Sequence, residues 1–577
     1  MMSLIFYDFE VFPHFWCVTC ASLGKLKGVY QFSSDYDKKH KNRQDLIDFY
    51  NEHSDDVWIG YNNKAYDQWI MKAILAGFGP WQMNTWLIDL GKNGWEFSSV
   101  LNQFNMVNYD CLQGYRSLKE LEGFMGERIK ETPVDFRKQD ILTQEEIDMV
   151  FEYNEHDVEQ TMKVFFEQKS DFEAMMSLVV EYGLPLSYVG KTKAGIVGTI
   201  LGCKKQSYDD EWDISLVDTL RIKKYAHIVN WYKDSANYKM GEKLNVHVAG
   251  VLHTFGLGGV HGAIEKYHST GLLVHVDVGS MYPSIMIRYN LLSRSVTKPE
   301  LFKKIYDKRL ALKAAGKKKE QAPYKIILNS MFGISGAKFS DAYDPRRNHE
   351  VCINGQLLAL DLIEHLEPYC RLIQSNTDGL IIEIPDTDEA WDKIDDVCYE
   401  WEQRTGLSLS FDVIHEIFQK DVNNYLFITD DGKVETKGAY LKEKTSLDND
   451  LPIVSKAMVE FMLHKTSPEK TISEANNLME FQKIVKRSGK YEHVWHNGEI
   501  LPDKTFRVFA STRPEDGIIG KQKTDGATIE KFGNTPDKCF IYNDDVHDVL
   551  IPEYLDKKYY VDLAYSRLED FGIASHR

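Results

Sequence analysis

The sequence lacks several features that would place it in a special class of protein. No apolar run approaches the roughly 18–20 residues that would span a bilayer, and no basic segment precedes the apolar residues of the N-terminus, so we expect no signal peptide there. Internal repeats and long low-complexity linkers are not visible. The 43% hydrophobic and 27% charged residues are ordinary globular values. We therefore expect a soluble, cytoplasmic protein without a membrane partner.

Cysteine pairs with the spacing of a zinc site or a disulfide framework are also missing. The eight cysteines are scattered along the chain, which favours a reducing compartment. Cys17 and Cys20 do form a CxxC, but it stands alone in the apolar stretch FPHFWCVTCASL. A buried strand is a better interpretation of this stretch than a redox motif, because no second pair accompanies it.

An excess of positive charge is absent too. The net charge is -18 over 577 residues, which argues mildly against a protein coated in nucleic acid. One segment departs from this balance: residues 303–325 hold nine basic and two acidic residues, a net of +7, so the rest carries -25. A lysine run is usually a solvated helix face, but its position between the motifs described next favours a phosphate-binding role.

The pattern of apolar residues predicts an α/β multidomain chain, and the length suggests about three to five domains. A glycine-rich stretch, TFGLGGVHGAIEKY, covers 254–267 and predicts unusual backbone angles or the close approach of a ligand backbone. The main predicted elements are strands at 3–9, 15–20, 57–61 and 272–279, helices near 44–52, 144–168 and 349–366, two helices joined by 314–323, and a hairpin at 371–384.

The segment DVGSMYPSI at 277–285 is the first that carries chemistry. Asp277 ends an apolar strand, where a lone Asp is more often a helix cap or turn residue than a metal ligand. The full pattern, however, resembles motif A of family B DNA polymerases, DxxSxYPS. The resemblance implies that Asp277 binds catalytic Mg²⁺ with help from the Val278 carbonyl, and that Tyr282 excludes a ribose 2′-OH.

A second segment, KIILNSMFG at 325–333, resembles motif B of the same family, KxxxNSxYG. Lys325 and Asn329 are four residues apart and therefore share one helix face. The resemblance implies that Lys325 holds the triphosphate while Asn329 and Phe332 pack against the nascent base pair; Phe332 replaces the usual tyrosine. In the lysine-rich segment, Arg309 and Lys313 match the RxxxK face that joins in holding phosphates.

A third segment, QSNTDGLIIE at 374–383, resembles motif C, usually DTDS. Asp378 matches the second Asp, which binds metal in this family, whereas Asn376 replaces the first Asp and Gly379 the Ser. The Asp-Gly turn between apolar strands is also a hairpin signal, and the two interpretations are compatible. Asp277 and Asp378 suffice for a mechanism with two Mg²⁺ ions about 3.5–4 Å apart.

The N-terminal region carries a separate set of acidic residues. Asp8 and Glu10 alternate with apolar residues in FYDFEVF, so both carboxylates should lie on one face of a strand. A solvent-facing amphipathic strand would give the same pattern, but a divalent metal would also relieve the repulsion between the two acids.

Two later segments, GYNNKAYD at 60–67 and YNEHD at 153–157, complete the order found in DEDD-type 3′-5′ exonucleases, which this region resembles. The resemblance implies that Tyr153 orients the attacking water and that Asn62 or Asn63 positions the strand. His156 is interpreted as structural. The implied ligands of two metal ions are Asp8, Glu10, Asp67 and Asp157.

Two weaker matches concern DNA. FGLGGVHGA resembles the YxGG-type element that contacts single-stranded template, with Phe255, Gly258 and Gly259 as the nearest matches. TKGAYL resembles the KxxY element, in which Lys437 would meet primer phosphate and Tyr440 the terminal sugar. An exposed hairpin lysine explains Lys437 equally well.

Together these resemblances imply an RNase H-like exonuclease domain followed by a right-hand polymerase with palm, fingers and thumb. The intervals of 48 residues from Asp277 to Lys325 and 53 residues from Lys325 to Asp378 leave little room for the insertions of protein-primed phage polymerases. A compact phage-type replicase with nucleic-acid priming is therefore expected. The predicted boundaries are 1–170 for the exonuclease, 171–250 for an N-terminal or connecting helical region, 251–300 and 346–435 for the palm, 301–345 for the fingers and 436–577 for the thumb and C-terminal region.

The expected cofactors are two Mg²⁺ ions in each site, with Mn²⁺ as an alternative. The expected partners of this monomer are primer-template DNA, deoxynucleoside triphosphates, single-stranded DNA at the exonuclease site and other phage replication proteins. Two alternatives stay open: a polymerase-derived binding protein with an inactive palm, which Asn376 and Gly379 favour, and an exonuclease alone.

Overall fold

The computed structural model describes residues 2–24, 27–524, 526 and 528–573. The described residues form a mixed α/β structure that packs into two compact units. Unit 1 comprises those within 1–191, 444–453 and 472–560, and unit 2 comprises those within 192–443, 454–471 and 561–577. No described helix has both the length and the apolar composition needed to cross a bilayer.

The first stretch of unit 1 alternates strands and helices, and it confirms the strands and helices predicted there. A capping box begins α4 at Ser117 and another begins α5 at Thr143, as expected where a hydroxyl and a glutamate satisfy free backbone N–H groups. The elements are β1 (Leu4–Val11), β2 (Trp16–Leu23), β3 (Gly28–Ser33), α1 (Arg43–Glu52), β4 (Val57–Gly60), α2 (Asp67–Leu75), α3 (Pro80–Asn84), β5 (Asn108–Asp110), α4 (Leu118–Met125), α5 (Gln144–Glu167) and α6 (Lys169–Glu181).

These strands form a sheet in the order β3-β2-β1-β4-β5, in which β4 and β5 are parallel to β1 and the other pairs are antiparallel. The alternation of β1 decides which residues face which helix. Tyr7 and Phe9 belong to one hydrophobic core, whereas Phe6 belongs to the other and meets Phe165 of α5 at 5.3 Å between ring centroids. Cys17 and Cys20 are buried in β2 without a disulfide, which confirms the buried-strand interpretation.

Unit 2 is built on a large antiparallel sheet in the order β15-β14-β13-β10-β12-β11-β8-β7-β6, with β9 pairing to β13. Its elements are α7 (Lys193–Ile200), α8 (Ala226–Lys233), β6 (Lys243–Val248), β7 (Val251–Gly256), β8 (His261–Ala263), β9 (Tyr267–Ser269), β10 (Leu273–Val278), α9 (Met281–Arg288), α10 (Pro299–Ala314), α11 (Lys318–Ser335), α12 (Pro345–Leu366), β11 (Arg371–Asn376), β12 (Gly379–Glu383), α13 (Asp388–Thr405), β13 (Leu409–Asp421), β14 (Asn424–Thr429) and β15 (Val434–Lys437).

The connection between α10 and α11 is shorter than predicted, because only residues 315–317 separate the two helices. The prediction that the joint extends to Pro323 is therefore wrong. Pro323 lies inside α11, where its missing N–H removes one helix hydrogen bond. Its ring is buried together with Ile327 and Leu328, and this apolar contact favours continuing the helix.

The last elements divide between the two units. They are α14 (Pro452–His464), α15 (Pro468–Glu474), β16 (Lys483–Lys486), β17 (Tyr491–His496), β18 (Glu499–Leu501), β19 (Thr505–Ala510), β20 (Ile519–Lys523), β21 (Ile529–Lys531), β22 (Cys539–Ile541) and α16 (Lys557–Glu569). The strands form two sheets, β16-β19-β22 and β18-β17-β20-β21. We name residues 472–560 the C-terminal module.

The C-terminal module packs with the N-terminal residues of unit 1 through a buried arginine. Arg507 is 0% exposed, and its guanidinium donates to the carbonyls of Gly123 at 3.2 Å, Glu127 at 2.7 Å and Asp544 at 2.6 Å. Burial lowers the pKa of Arg507 to about 10. The range 436–577, predicted as the thumb and C-terminal region, is shared between the two compact units, because this module makes its contacts within unit 1.

Candidate functional sites

Two carboxylates meet at the strand ends of the unit 2 sheet. Asp277 stands opposite Gly379 of β12 and Ser410 of β13, and Asp378 lies in the turn between β11 and β12. The Val278 N–H donates to the Asp378 carbonyl at 2.8 Å, which fixes the turn beside β10. Burial, followed by the charge of Asp378, raises the pKa of Asp277 to about 6, and burial also raises the pKa of Asp378. A partly buried carboxylate at Asp277 and an exposed one at Asp378, which repels it, fit a divalent cation.

The turn that carries Asp378 has a strained backbone. Thr377 adopts a φ of 57°, a left-handed conformation that is rare for a β-branched residue. Its N–H donates to the Val260 carbonyl at 2.9 Å. Residues in such conformations persist only where the surroundings hold them, and they cluster at functional sites.

Asn376 is bonded to its neighbours in the sheet. Its side-chain oxygen lies 3.1 Å from Nδ1 of His261, and its amide nitrogen donates to the Val422 carbonyl at 3.3 Å. The position where the resembled family carries a third acid is therefore occupied by a neutral, hydrogen-bonded side chain.

His275 is a feature of this site that the sequence interpretation missed. It lies on β10 two residues before Asp277, and so on the same face, with its Nδ1 3.9 Å from an Asp412 carboxylate oxygen. Burial lowers the pKa of this imidazole. A Cβ atom at Gly379 would lie 2.8 Å from Nε2 of His275, so the ring occupies the space that a side chain at 379 would need. The two-residue spacing from Asp277 was the available signal.

Aromatic and basic side chains surround the two carboxylates. The Tyr282 and Phe332 rings stack with centroids 4.3 Å apart and planes at 29°. Arg309 is buried and donates to Oγ of Ser280 at 2.6 Å, and the exposed Lys313, which follows it on α10, lowers the pKa of Asp277 by its charge.

Lys325 and Asn329 are both exposed on α11, in agreement with the predicted common face. Their assignment to the triphosphate and the base pair, like that of Arg309 and Lys313 to phosphate, stays a prediction.

The glycine-rich segment packs against the turn that carries Asp378. A Cβ atom at Gly259 would lie 2.3 Å from Oγ1 of Thr377, so only glycine allows this approach. The Gly258 carbonyl accepts a hydrogen bond from Nε2 of Gln356 at 2.9 Å. Phe255 is buried in β7. Its ring is therefore not exposed in this structure for the predicted contact with template.

Lys437 and Tyr440 follow from β15. Lys437 is half-buried, with its ammonium 5.8 Å from the centre of the Tyr425 ring. Burial lowers the pKa of Lys437, and the negative charge of Asp378 opposes this shift. The Tyr440 ring lies against the guanidinium of Arg567 at 4.1 Å. The predicted contacts of both residues with primer stay predictions.

A second carboxylate cluster lies in unit 1 between β1 and α5. Carboxylate oxygens of Asp8, Glu10 and Asp157 lie within 4.8 Å of one another. The Asn154 side chain donates to the Asp8 carboxylate at 2.9 Å and to the Asp8 carbonyl at 3.0 Å. Burial, reinforced by the neighbouring acids, raises the pKa values of Asp8 and Glu10 well above their usual range. These ligand types and their crowding fit a divalent metal ion.

The remaining predicted residues of this cluster differ in their surroundings. Asp67 accepts a hydrogen bond from the Phe9 N–H at 3.0 Å, and burial raises its pKa to about 7. Asn62 is exposed with a φ of 59°. Asn63 is fully buried and donates to Oδ1 of Asn108 at 2.8 Å, so of the two amides only Asn62 is placed to meet a strand.

Lys119 of α4 was missed by the sequence interpretation. Its ammonium bonds to Asp157, lies 2.8 Å from Oε1 of Glu122, and stands 4.6 Å from the centre of the Tyr153 ring. His156 lies on the other side of Glu122, with 3.6 Å between Nε2 and the carboxylate. Nothing near Lys119 in the sequence indicates this contact, because its partner Asp157 comes 38 residues later.

The comparisons with known proteins concern polymerases. No family model matches the chain. Over 196 residues it is 25% identical to DNA polymerase 1 of Sulfolobus acidocaldarius, a match that covers 33% of this chain and 21% of that protein. The chain thus spans about a fifth of the length of this curated relative. It also aligns with the family B DNA polymerase of the hyperthermophilic archaeon Pyrobaculum calidifontis at a TM-score of 0.42 and 14% identity, covering 100% of this chain and 79% of that one. The relatives to which this mixed α/β chain shows distant similarity are therefore DNA polymerases.

Proposed function

We propose that the chain is a template-directed DNA polymerase that adds deoxynucleotides to a primer 3′-OH, with a 3′-5′ exonuclease in unit 1. The observation that carries the polymerase proposal is the meeting of Asp277 and Asp378 at adjacent strand ends, beside the stacked rings of Tyr282 and Phe332. The match to DNA polymerase 1 of Sulfolobus acidocaldarius supports it.

In this proposal Asp277 and Asp378 hold the divalent ions, and the Val278 carbonyl completes their coordination. Bound Mg²⁺ supplies activation of the 3′-OH and neutralisation of the triphosphate charge. The protein orients the substrates: Lys313, Lys325 and Arg309 meet the phosphates. In this proposal, these three residues of the basic segment between motifs A and B face the triphosphate of the incoming nucleotide.

The Tyr282 ring supports the proposed choice of sugar. The ring stacks on Phe332, and it lies so near Gly355 that a Cβ atom there would be 3.3 Å from Cε1 of Tyr282. A ring stacked in this way would collide with a ribose 2′-OH, so deoxynucleotides are the proposed substrates.

In unit 1, Asp8, Glu10, Asp67 and Asp157 are the proposed metal ligands of a proofreading exonuclease with an RNase H-like fold, and Tyr153 orients the attacking water. The mixed sheet with helices on its faces supports this fold. Lys119 contacts both Asp157 and the Tyr153 ring, so it holds two proposed participants in place.

The test is primer extension by the purified chain on primed single-stranded DNA with Mg²⁺ and dNTPs, together with degradation of a labelled single strand. Asp277→Asn and Asp378→Asn should abolish extension and leave degradation, whereas Asp8→Asn should abolish degradation and leave extension. These isosteric changes remove charge without removing volume, and a thermal melt of each variant checks its folding.

A second candidate is an exonuclease whose palm is inactive, which the neutral Asn376 and the missing side chain at Gly379 favour. Wild-type protein that degrades single strands but does not extend primers with Mg²⁺ or Mn²⁺ would establish this candidate instead.

A further inference from the structure

A cleft of about 410 Å³ opens beside Glu10 in unit 1. This volume lies in the range of sites for molecules the size of a nucleotide. Because Glu10 belongs to the carboxylate cluster, a molecule in the cleft has one end at the proposed metal site. One wall comes from the N-terminal residues and another from the C-terminal module, which contributes Lys504.

Aromatic and apolar side chains form more than half of the lining of the cleft. Trp81, Phe136 and Ile88 belong to its lining, and Ile88 is 61% exposed. The Phe136 ring stacks on Phe12 at 5.1 Å with planes at 21°, so it is fixed in position. Flat rings held at an exposed surface are the feature by which proteins stack nucleic-acid bases regardless of sequence.

Of the two basic side chains that line the cleft, one is paired with an acid and the other is available to a ligand. Arg137 is paired with Asp89 at 2.6 Å, whereas the ammonium of Lys504 has no acidic partner among the residues that the structure describes. The backbone N–H of Lys504 donates to Oε1 of Glu131 at 2.8 Å, and that of Thr505 donates to the same oxygen at 3.1 Å. The exposed lysine is therefore anchored at its backbone, with its side chain free for a phosphate.

We propose that Lys504 of the C-terminal module binds the phosphate backbone of the single strand whose 3′-terminal nucleotides enter this cleft, and that the bases of the strand stack on Trp81 and Phe136. The proposal rests on the exonuclease function proposed for unit 1. It gives the C-terminal module a role in that reaction: the module supplies a positioning residue for the substrate strand. Base-stacking rings and a single cation suit single-stranded DNA of any sequence.

The first test compares Lys504→Ala and Lys504→Glu with Lys490→Ala and Lys490→Glu, matched changes at an exposed lysine of the same module that does not line the cleft. Degradation of a 5′-labelled single strand is measured at several salt concentrations. Loss of one phosphate contact should raise KM with kcat nearly constant and reduce the slope of log KM against log salt by about 0.7. The Lys490 variants should match the wild type.

The second test does not depend on catalysis. A single strand with 2-aminopurine at its 3′ end should lose fluorescence on binding, because the base stacks on aromatic rings. Trp81→Ala should weaken this binding by about 5- to 150-fold, whereas the exposed Trp95, outside the cleft, can be changed to Ala without effect. A thermal melt separates this effect from unfolding, because Trp81 also packs on the hydrophobic core.

The outcomes separate the two proposals. Wild-type protein that degrades single strands, with unchanged KM and salt slope in both Lys504 variants, would overturn the cleft assignment and leave the exonuclease standing. Absence of degradation together with Trp81-dependent quenching would remove the exonuclease and keep the cleft as a binding site. Equal competition by blunt duplex DNA or by free nucleotides would overturn the assignment to a single strand.

Discussion

Replacing Gly379 by Ser would restore the side chain that the resembled motif usually carries, and we expect it to damage this site. The new Cβ would lie 2.8 Å from Nε2 of His275 and 3.6 Å from Oδ1 of Asp277. Heavy-atom contacts between nonbonded carbon and nitrogen below about 3.0 Å require one group to move. The His275 side chain is only 20% exposed and its ring lies 5.7 Å from the Phe427 ring, so little space is open for the ring to turn away.

Overpacking of this kind costs about 1–3 kcal/mol. If the whole cost falls on the arrangement of Asp277 and Asp378, the rate of single-turnover extension should drop by about 5- to 150-fold. The free energy of unfolding of unit 2 should fall by a similar amount. Gly489→Ser is the control, because a Cβ there meets nothing within 4 Å.

The decisive variant is Gly379→Ser combined with His275→Ala. Removing the ring frees the space, so the double variant should recover most of the lost rate, with a coupling of about 0.5–3 kcal/mol between the two changes. Wild-type activity in Gly379→Ser, or strictly additive effects in the double variant, would refute the argument that His275 excludes a side chain at 379.

Three further expectations concern other parts of the chain. Tyr282→Ala should lower the discrimination against ribonucleotides by about tenfold or more, measured as the ratio of kcat/KM for dNTP and rNTP; unchanged discrimination would refute the proposed role of the ring. Arg507→Met should reduce the free energy of unfolding of unit 1 by about 3–5 kcal/mol, because several buried carbonyls lose their donor. Arg128→Met, at an exposed pair with Asp544, should cost less than about 1 kcal/mol; equal midpoints in urea would contradict this. Burial raises the pKa of Asp67 to about 7, so the metal-free folded protein holds a proton that the unfolded chain releases near pH 4. The free energy of unfolding should therefore fall as pH rises from about 4 to 7, and it should recover when Mg²⁺ is added. A free energy of unfolding that does not change with pH in EDTA would contradict the raised pKa.

The sequence predicts well those features that depend on local periodicity. The period of two places Asp8 and Glu10 on one face of β1, and the structure brings both to Asp157. The four-residue spacing places Lys325 and Asn329 on one face of α11. The apolar run before Asp277 predicts a strand that ends near this residue, as β10 does, and the hairpin around Asp378 forms where predicted.

What the sequence does not reveal are contacts between residues far apart in the chain. Lys119 meets Asp157 only because α4 packs on α5, and Lys504 reaches the cleft beside Glu10 from nearly 500 residues away. Gly259 is required because its backbone packs closely against Thr377, which comes more than 100 residues later in the chain. Local patterns carry no information about such pairs, since they are set by packing between elements.

The buried guanidinium of Arg507 also constrains how the chain can fold during synthesis. Its partners Gly123 and Glu127 leave the ribosome long before it does, and about 280 residues separate the N-terminal stretch of unit 1 from the C-terminal module. At about 5–20 residues per second, the N-terminal stretch waits on the order of 15–60 s for the module. During that interval the Gly123 and Glu127 carbonyls lack their donor, and the surface of α4 that the module later covers stays open. Unit 1 therefore reaches its final form only after most of unit 2 has been synthesised, and a nascent chain stalled before residue 507 would carry an incomplete unit 1 however well its first 191 residues had folded.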